Sequence, residues 1–412
     1  MTFRTNSLVG AVAFPPIAEA HGWISGRTFP EDKPLIDVAQ AVPAYPPASA
    51  LTAYLARRVR KPETARYTEI AGIPPLRAAL ARQVGETYGG EVRPDQVCIT
   101  AGCNQAFVVA IVALAEAGDD VILALPYYFN HRMTLDMLGI RVALLPFQPE
   151  RGGVPDPETA RALITARTKA IVLVTPNNPT GAIYPPDVLA AFDELAREHG
   201  VALILDEVYK DFLPDGRAPH RLFRRRDWPG TLIHLYSFSK VYSLSGYRVG
   251  AMVADAAFVA EVAKVMDCVQ ICAPRIGQDA ALFGLDNLDA WQRGKRETIA
   301  RRAASLRAAF RAPGLAYDAV SMGAHFAYVR HPFAGVPAID VARRLAHEEN
   351  LLCLPGSMFG PDQEDYLRFA FANLDDRSMP EIARRLLTSQ DWRNVSRSRK
   401  DLRAGLGAGV GT

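Results

Sequence analysis

A chain of 412 residues is longer than one hydrophobic core usually spans, which predicts two domains or one large domain with an appendage. With 49% apolar and 22% charged residues it is neither disordered nor collagen-like, and a formal net charge of +3 gives no reason to expect nucleic acid as a partner. Five scattered cysteines without a CxxC pair, and eight dispersed histidines without HxH or HExxH spacing, argue against a disulfide framework or a metal site and for a reducing, cytoplasmic setting.

At the N-terminus Arg4, the apolar run Leu8 to Phe14 and Ala18-Glu19-Ala20 imitate a secretory signal. The run is short, contains Gly10 and stops at Pro15-Pro16, so that reading is set aside. No apolar run reaches the roughly 18 residues a membrane span needs, and no membrane partner is expected. Between residues 95 and 250, β-branched runs alternate with helical patterns, predicting a parallel sheet covered by helices on both faces. The expected strands are Val97 to Thr100, Val121 to Leu125, Ala170 to Val174, Val201 to Leu205 and Thr231 to Tyr236. Asp187 to Glu198 reads as an amphipathic helix, with Pro185-Pro186 before it, apolar Val188, Leu189, Phe192, Leu195 and Ala196 along it, and Gly200 at its C-cap.

Ligands of open parallel sheets bind at the carboxyl ends of the strands. There this sequence places Ala101-Gly102-Cys103-Asn104, Pro126-Tyr127-Tyr128, Thr175 to Gly181, Asp206-Glu207-Val208-Tyr209 and Ser237-Phe238-Ser239-Lys240. From about residue 286 a long helical stretch leads to strands at Phe326 to Arg330, Leu351 to Leu354 and Tyr366 to Phe371. Helices at Ala338 to Glu349 and Asp375 to Leu387 accompany them, an α+β pattern. Residues 389–412, rich in Arg, Ser and Gly, are expected to be a mobile tail. The tail and the Arg221 to Arg226 cluster read as solvated charge, and the first 35 residues are too few for a DNA-binding domain.

Lys240 stands where its amine can reach into the crevice and add to a carbonyl as a Schiff base, although a lone lysine there serves equally as a surface or phosphate-pairing cation. Asp206 follows an apolar run, so an ionised side chain needs a cationic partner, and the ring nitrogen of a pyridine aldehyde cofactor would supply it; an N-cap is the alternative role. Glu207 would point the other way, in support. Asn178 and Tyr209 can donate to a phenolic ring oxygen or stabilise their own turns, and Tyr128 can stack on a ring or simply pack. A phosphate would find main-chain N–H groups after Gly102, the hydroxyls of Ser237 and Ser239, and Arg248, with Gly246 and Gly250 allowing tight turning and close approach.

YTEIAGIPPLR (67–77), TAGCNQAF (100–107), TPNNPTG (175–181), DEVY (206–209), SFSKVYSLSGYRVG (237–250) and YLRFAFAN (366–373) together resemble the class I and II pyridoxal-phosphate-dependent aminotransferases of fold type I, over about Leu35 to Leu387. The resemblance implies an α/β large domain with a mostly parallel sheet at 46–285, a smaller α+β domain at 286–388, and an N-terminal arm at 1–45 packing on the smaller domain. It also implies pyridoxal 5'-phosphate bound to Lys240, which doubles as the proton shuttle, with Asp206 on the ring nitrogen and Asn178 and Tyr209 on the phenolic oxygen. Tyr128 would stack on the ring, while Gly102, Cys103, Asn104, Ser237, Ser239 and Arg248 surround the phosphate. Tyr67 would join them from the second subunit of a homodimer. Arg368, with Asn178, would hold the α-carboxylate of an amino acid, whose amino group passes to a 2-oxo acid in a ping-pong cycle; a lyase, decarboxylase or synthase on the same residues is the alternative. Two departures stand out: Cys103 replaces a usual Gly, Ser or Ala, which should matter little, and Gln40-Ala41-Val42-Pro43 lacks a glycine near the expected substrate mouth.

Overall fold

The computed structural model describes residues 3–392, so residues 393–412 of the expected tail lie outside the described residues. In chain order its strands are β1 (Ile36–Asp37), β2 (Val97–Thr100), β3 (Asp120–Ala124), β4 (Arg141–Leu145), β5 (Thr168–Val174), β6 (Ala202–Asp206), β7 (Leu232–Ser237), β8 (Gly250–Val253), β9 (Asp318–Gly323), β10 (Phe326–Arg330), β11 (Leu351–Leu352), β12 (Leu354–Pro355) and β13 (Tyr366–Ala370).

Seven of them form one sheet in the order β2-β8-β7-β6-β5-β3-β4. The pairings from β7 to β4 are parallel, and β8 runs antiparallel to both β2 and β7. Successive side chains of a strand point to opposite faces, and the apolar runs feed two cores accordingly. Ile171, Leu173, Leu203 and Leu205 pack on one face with Leu80, Val84, Leu189 and Phe192, whereas Ala170, Val172 and Ile204 pack on the other with Phe107, Ile111, Val259 and Val262. The first face is covered by helices Pro74–Tyr88 and Pro186–His199 and the second by Cys103–Leu114 and Ala256–Val269. Each buried aliphatic contributes about 1.5–3 kcal/mol, so the strand ends are fixed points from which loops can project. The helix Pro186–His199 starts on its proline pair and ends on Gly200 in the left-handed region, as its sequence requires.

A second sheet, β12-β13-β10-β9, is antiparallel and packs Val329, Leu367 and Phe369 against Val341, Leu345, Ile382 and Leu386. β1 pairs in parallel with β11, tying the N-terminal segment to this unit. The predicted strand Leu351 to Leu354 breaks at Cys353: its first half joins β1 and its second half joins β13. The helix expected from Asp375 starts at Ser378, because the Asp375 carboxylate accepts from the Ser378 N–H at 3.0 Å and holds the preceding turn. A smaller apolar cluster of Ala41, Tyr209, Phe212, Ile299, Phe326 and Ala370 joins the N-terminal segment to both sheets. No helix among the described residues is long and apolar enough to cross a membrane.

Candidate active site

The loops after β2, β5, β6 and β7 enclose a cavity of about 300 Å³. Cys103, Asn104, Tyr128, Asn178, Asp206, Tyr209, Ser237, Ser239, Lys240 and Arg248 all line it, so segments far apart in sequence do converge.

At one end, Gly102 (φ +90) caps the helix Cys103–Leu114, whose first N–H groups carry the positive end of the helix dipole. A Cβ on Gly102 would stand 2.5 Å from Arg248 Nη2, and one on Gly250 would stand 2.7 Å from the Gly102 carbonyl carbon, so both glycines are required by close approach. Gly246 has no neighbour within 4 Å of such a Cβ, and the close approach read from the sequence at that position does not occur. Arg248 itself adopts φ +51 and is held by the Ser245 carbonyl at 3.0 Å and the Ala101 carbonyl at 3.1 Å. The Ser237 hydroxyl oxygen accepts from the Ser239 N–H at 3.1 Å, capping the short helix Phe238–Val241 that carries Lys240, and its own O–H stays free to donate.

Asp206 lies beside His131, whose Nε2 is 3.4 Å from Oδ2, while Oδ1 accepts from the Val208 N–H at 3.1 Å. His131 is stacked on Phe107 at 4.0 Å and meets Tyr128 edge-on at 5.2 Å. The sequence reading missed this histidine; its position three residues after Tyr128, one helical turn on, was the available signal. Cys103 does more than occupy a loop position: its thiol hydrogen-bonds Asp206, and burial followed by the Asp206 charge pushes the thiol well above its usual range. Burial raises Tyr128 to about 12 and holds Tyr209 well above the ordinary phenol range, so both hydroxyls keep their protons at neutral pH.

Lys240 lines the same cavity, and its Nζ donates to the Ala41 carbonyl. Burial, then the charges of Arg248 and Arg368, lowers it from 10.5 to about 8. Arg368, on β13, is 1% exposed and sits between the Phe326 and Phe359 rings at 5.2 and 5.0 Å. It reaches the cavity through Asn178, whose Oδ1 accepts from Nη1 at 3.0 Å; Nη2 donates to the Ala39 carbonyl, and Nε has no partner. With its oxygen taken, Asn178 has its amide N–H groups to offer. The Ala39 and Ala41 carbonyls were not foreseen, since main-chain acceptors leave no mark in a sequence. Tyr67 is not brought to this cavity and is 76% exposed.

An amine with lowered basicity, a buried carboxylate, phenol and amide donors, and an anion cradle at a helix start form a set that fits a phosphorylated pyridine aldehyde, and Arg368 with its unpartnered Nε suits a carboxylate. The sequence profile of the family "Aminotransferase class I and II" matches residues 28–386. An aromatic aminotransferase of Arabidopsis thaliana is 28% identical over 385 residues, 89% of this chain and 95% of that protein. An arginine–pyruvate transaminase of Pseudomonas aeruginosa is 31% identical over 326 residues, 78% of this chain and 81% of that one. The structure of an aspartate aminotransferase from Thermus thermophilus with maleate superposes with a TM-score of 0.85 at 28% identity, covering 94% of this chain and 100% of that one.

Proposed function

The chain belongs to the class I and II aminotransferases, and we propose that Lys240, Asp206, Tyr209 and Arg368 carry its transamination. It is a fold type I enzyme of a pyridoxal-phosphate-dependent family. When bound, pyridoxal phosphate supplies an aldehyde that condenses with amines and a protonated ring that takes up the electron pair released at the substrate Cα.

The observation that supports the assignment of roles is that Lys240, Asp206 and Arg248 line one cavity, where burial and the charges of Arg248 and Arg368 lower the Lys240 amine to about 8. Asp206 keeps a proton on the ring nitrogen, with His131 and the Cys103 thiol holding the carboxylate in place. Tyr209 O–H and the Asn178 amide donate to the phenolic oxygen. Tyr128 covers the ring face. The N–H groups after Gly102, the Ser237 and Ser239 hydroxyls, Asn104 and Arg248 grip the phosphate.

Arg368 receives the α-carboxylate, exchanging its contact with the Ala39 carbonyl for a charge-assisted pair and so fixing the direction of the Cα–H bond. The Lys240 amine would take the proton from the substrate Cα that this clamp orients, and the bound cofactor would supply the carrier on which the amino group is held between amino acid and 2-oxo acid. The relatives described above are aminotransferases, which leaves the lyase, decarboxylase or synthase reading without a supporting observation.

We assign residues 46–285 to the large domain and 286–388 to the small one, with 1–45 as an arm; the separate cores and the β1–β11 pairing support the division. A homodimer in which Tyr67 completes the phosphate site of a second copy accounts for the exposure of that ring. Unpaired cysteines throughout the described residues support a cytoplasmic setting. The test is a half-reaction: one amino acid alone should convert the bound aldehyde to the amine and release one equivalent of oxo acid. Release of ammonia with recovery of the aldehyde would contradict it.

A further inference from the structure

Glu207, one residue past Asp206, takes no part in the chemistry above, yet it is the centre of a fully buried polar cluster. Its Oε2 accepts from the Tyr88 hydroxyl and lies 2.9 Å from His234 Nε2 and 3.3 Å from His220 Nε2. His220 Nδ1 accepts the Leu222 N–H at 3.2 Å, so its proton sits on Nε2, facing the carboxylate. Tyr88 is stacked on His220 at 4.5 Å and flanked by Phe223, which closes the cluster to water. Burial pushes the Glu207 carboxyl up, and the two imidazoles outweigh it and hold the group well below the usual carboxylate range.

The cluster lies on the opposite side of the sheet from the Asp206 contacts. Asp206 meets His131 and Cys103, and His131 stacks on Phe107, on the face of Ile204, whereas Tyr88 and Phe223 belong to the face of Leu205. The main chain between is held at both ends: Thr175 N–H donates to the Asp206 carbonyl at 3.0 Å, Glu207 N–H to the Leu235 carbonyl at 3.0 Å and Lys210 N–H to the Glu207 carbonyl at 3.1 Å. A turn clamped in this way, with one side chain anchored below the sheet, leaves little freedom to the side chains on either side of that anchor.

We propose that Glu207 is a positioning residue: by tying the turn after β6 to Tyr88, His220 and His234 beneath the sheet, it sets how Asp206 and Tyr209 meet the cofactor ring. The inference rests on the reading that those two residues address the ring nitrogen and phenolic oxygen. Loss of one donor or of the carboxylate then reaches the cofactor as a change in ring electronics, a signature that a purely structural role would not produce.

The experiment compares holoenzymes of the wild type, Glu207→Gln, Tyr88→Phe and Asp206→Ala by pH titration of the bound cofactor's absorbance, by half-reaction rate at saturating amino acid and by thermal melting. For Glu207→Gln the expected result is a titration midpoint moved by about half a pH unit or more and a limiting rate lowered about tenfold, with the amino-acid KM within about twofold. Tyr88→Phe should follow in the same direction by a smaller amount, and it decides the matter should Glu207→Gln fail to fold. If both variants melt earlier but keep the wild-type midpoint and rate while Asp206→Ala moves them, the proposal is overturned and the cofactor reading stands. If Asp206→Ala also leaves the midpoint unmoved, the cofactor reading fails and the proposal falls with it.

Discussion

Burial makes Lys240 usable as an amine near neutral pH. A lysine at the ordinary 10.5 is about 0.3% uncharged at pH 8, whereas one lowered to about 8 is half uncharged. The rate at which the apoprotein couples pyridoxal phosphate should therefore rise with pH around a midpoint near 8, and a midpoint near 10.5 would refute the environment described for Nζ. The charged form is the one the fold disfavours, so the lysine costs stability below its unfolded value, fully so below about pH 8. Apoprotein Lys240→Met should melt higher than wild type at pH 7, the gain vanishing as pH rises from 8 towards 10.5. Arg368→Ala removes two charge-assisted hydrogen bonds to a carboxylate, worth about 1.5–3 kcal/mol each, so the amino-acid KM should rise at least about 100-fold; a change below twofold would remove Arg368 from the site. At this scale much was legible: residues spread from Cys103 to Arg248 were read from motif chemistry and meet in one cavity. His131 and the partners of Glu207 were not, because buried polar partners come from other segments and follow no local pattern.

The anion cradle is a property of elements, not of single side chains. The helix start after β2, the strand β8 and the turn carrying Arg248 approach so closely that two of them must be glycine where they touch. Gly102→Ala would force a Cβ against Arg248 at a left-handed backbone position, and strain of about 1–3 kcal/mol should appear as roughly 10- to 100-fold weaker cofactor binding in a fold that still forms. Gly246→Ala meets nothing and should leave both stability and binding within about 0.5 kcal/mol of wild type. Equal effects of the two changes, measured by equilibrium cofactor titration, would contradict the cradle. The buried parallel strands were legible because apolar runs bounded by turns mark them. β4, β8 and β9 escaped for separate reasons: β4 and β9 are edge strands with half-exposed residues, and Gly250, the first residue of β8, reads as a break when its role is to let Gly102 pass.

For the whole molecule, the described chain leaves its expected phosphate site without Tyr67. That residue is exposed, and the neighbouring Thr68 N–H donates to Cys272 Sγ at 3.4 Å. An exposed aromatic ring of this size suits an interface, and the proposed homodimer makes a specific claim: Tyr67→Phe should weaken cofactor binding without altering the fold, and activity should fall on dilution as the dimer separates. A mostly parallel sheet flanked by helices followed from periodicity; how the N-terminal segment crosses the site to meet both Arg368 and Lys240 did not, because its contacts are carbonyls. All of these claims depend on one covalent attachment. Borohydride reduction of the protein loaded with pyridoxal phosphate, followed by peptide mass analysis, should place one pyridoxyl group per chain on Lys240 and none on Lys240→Ala; label on another lysine, or equal labelling of the variant, would contradict the account.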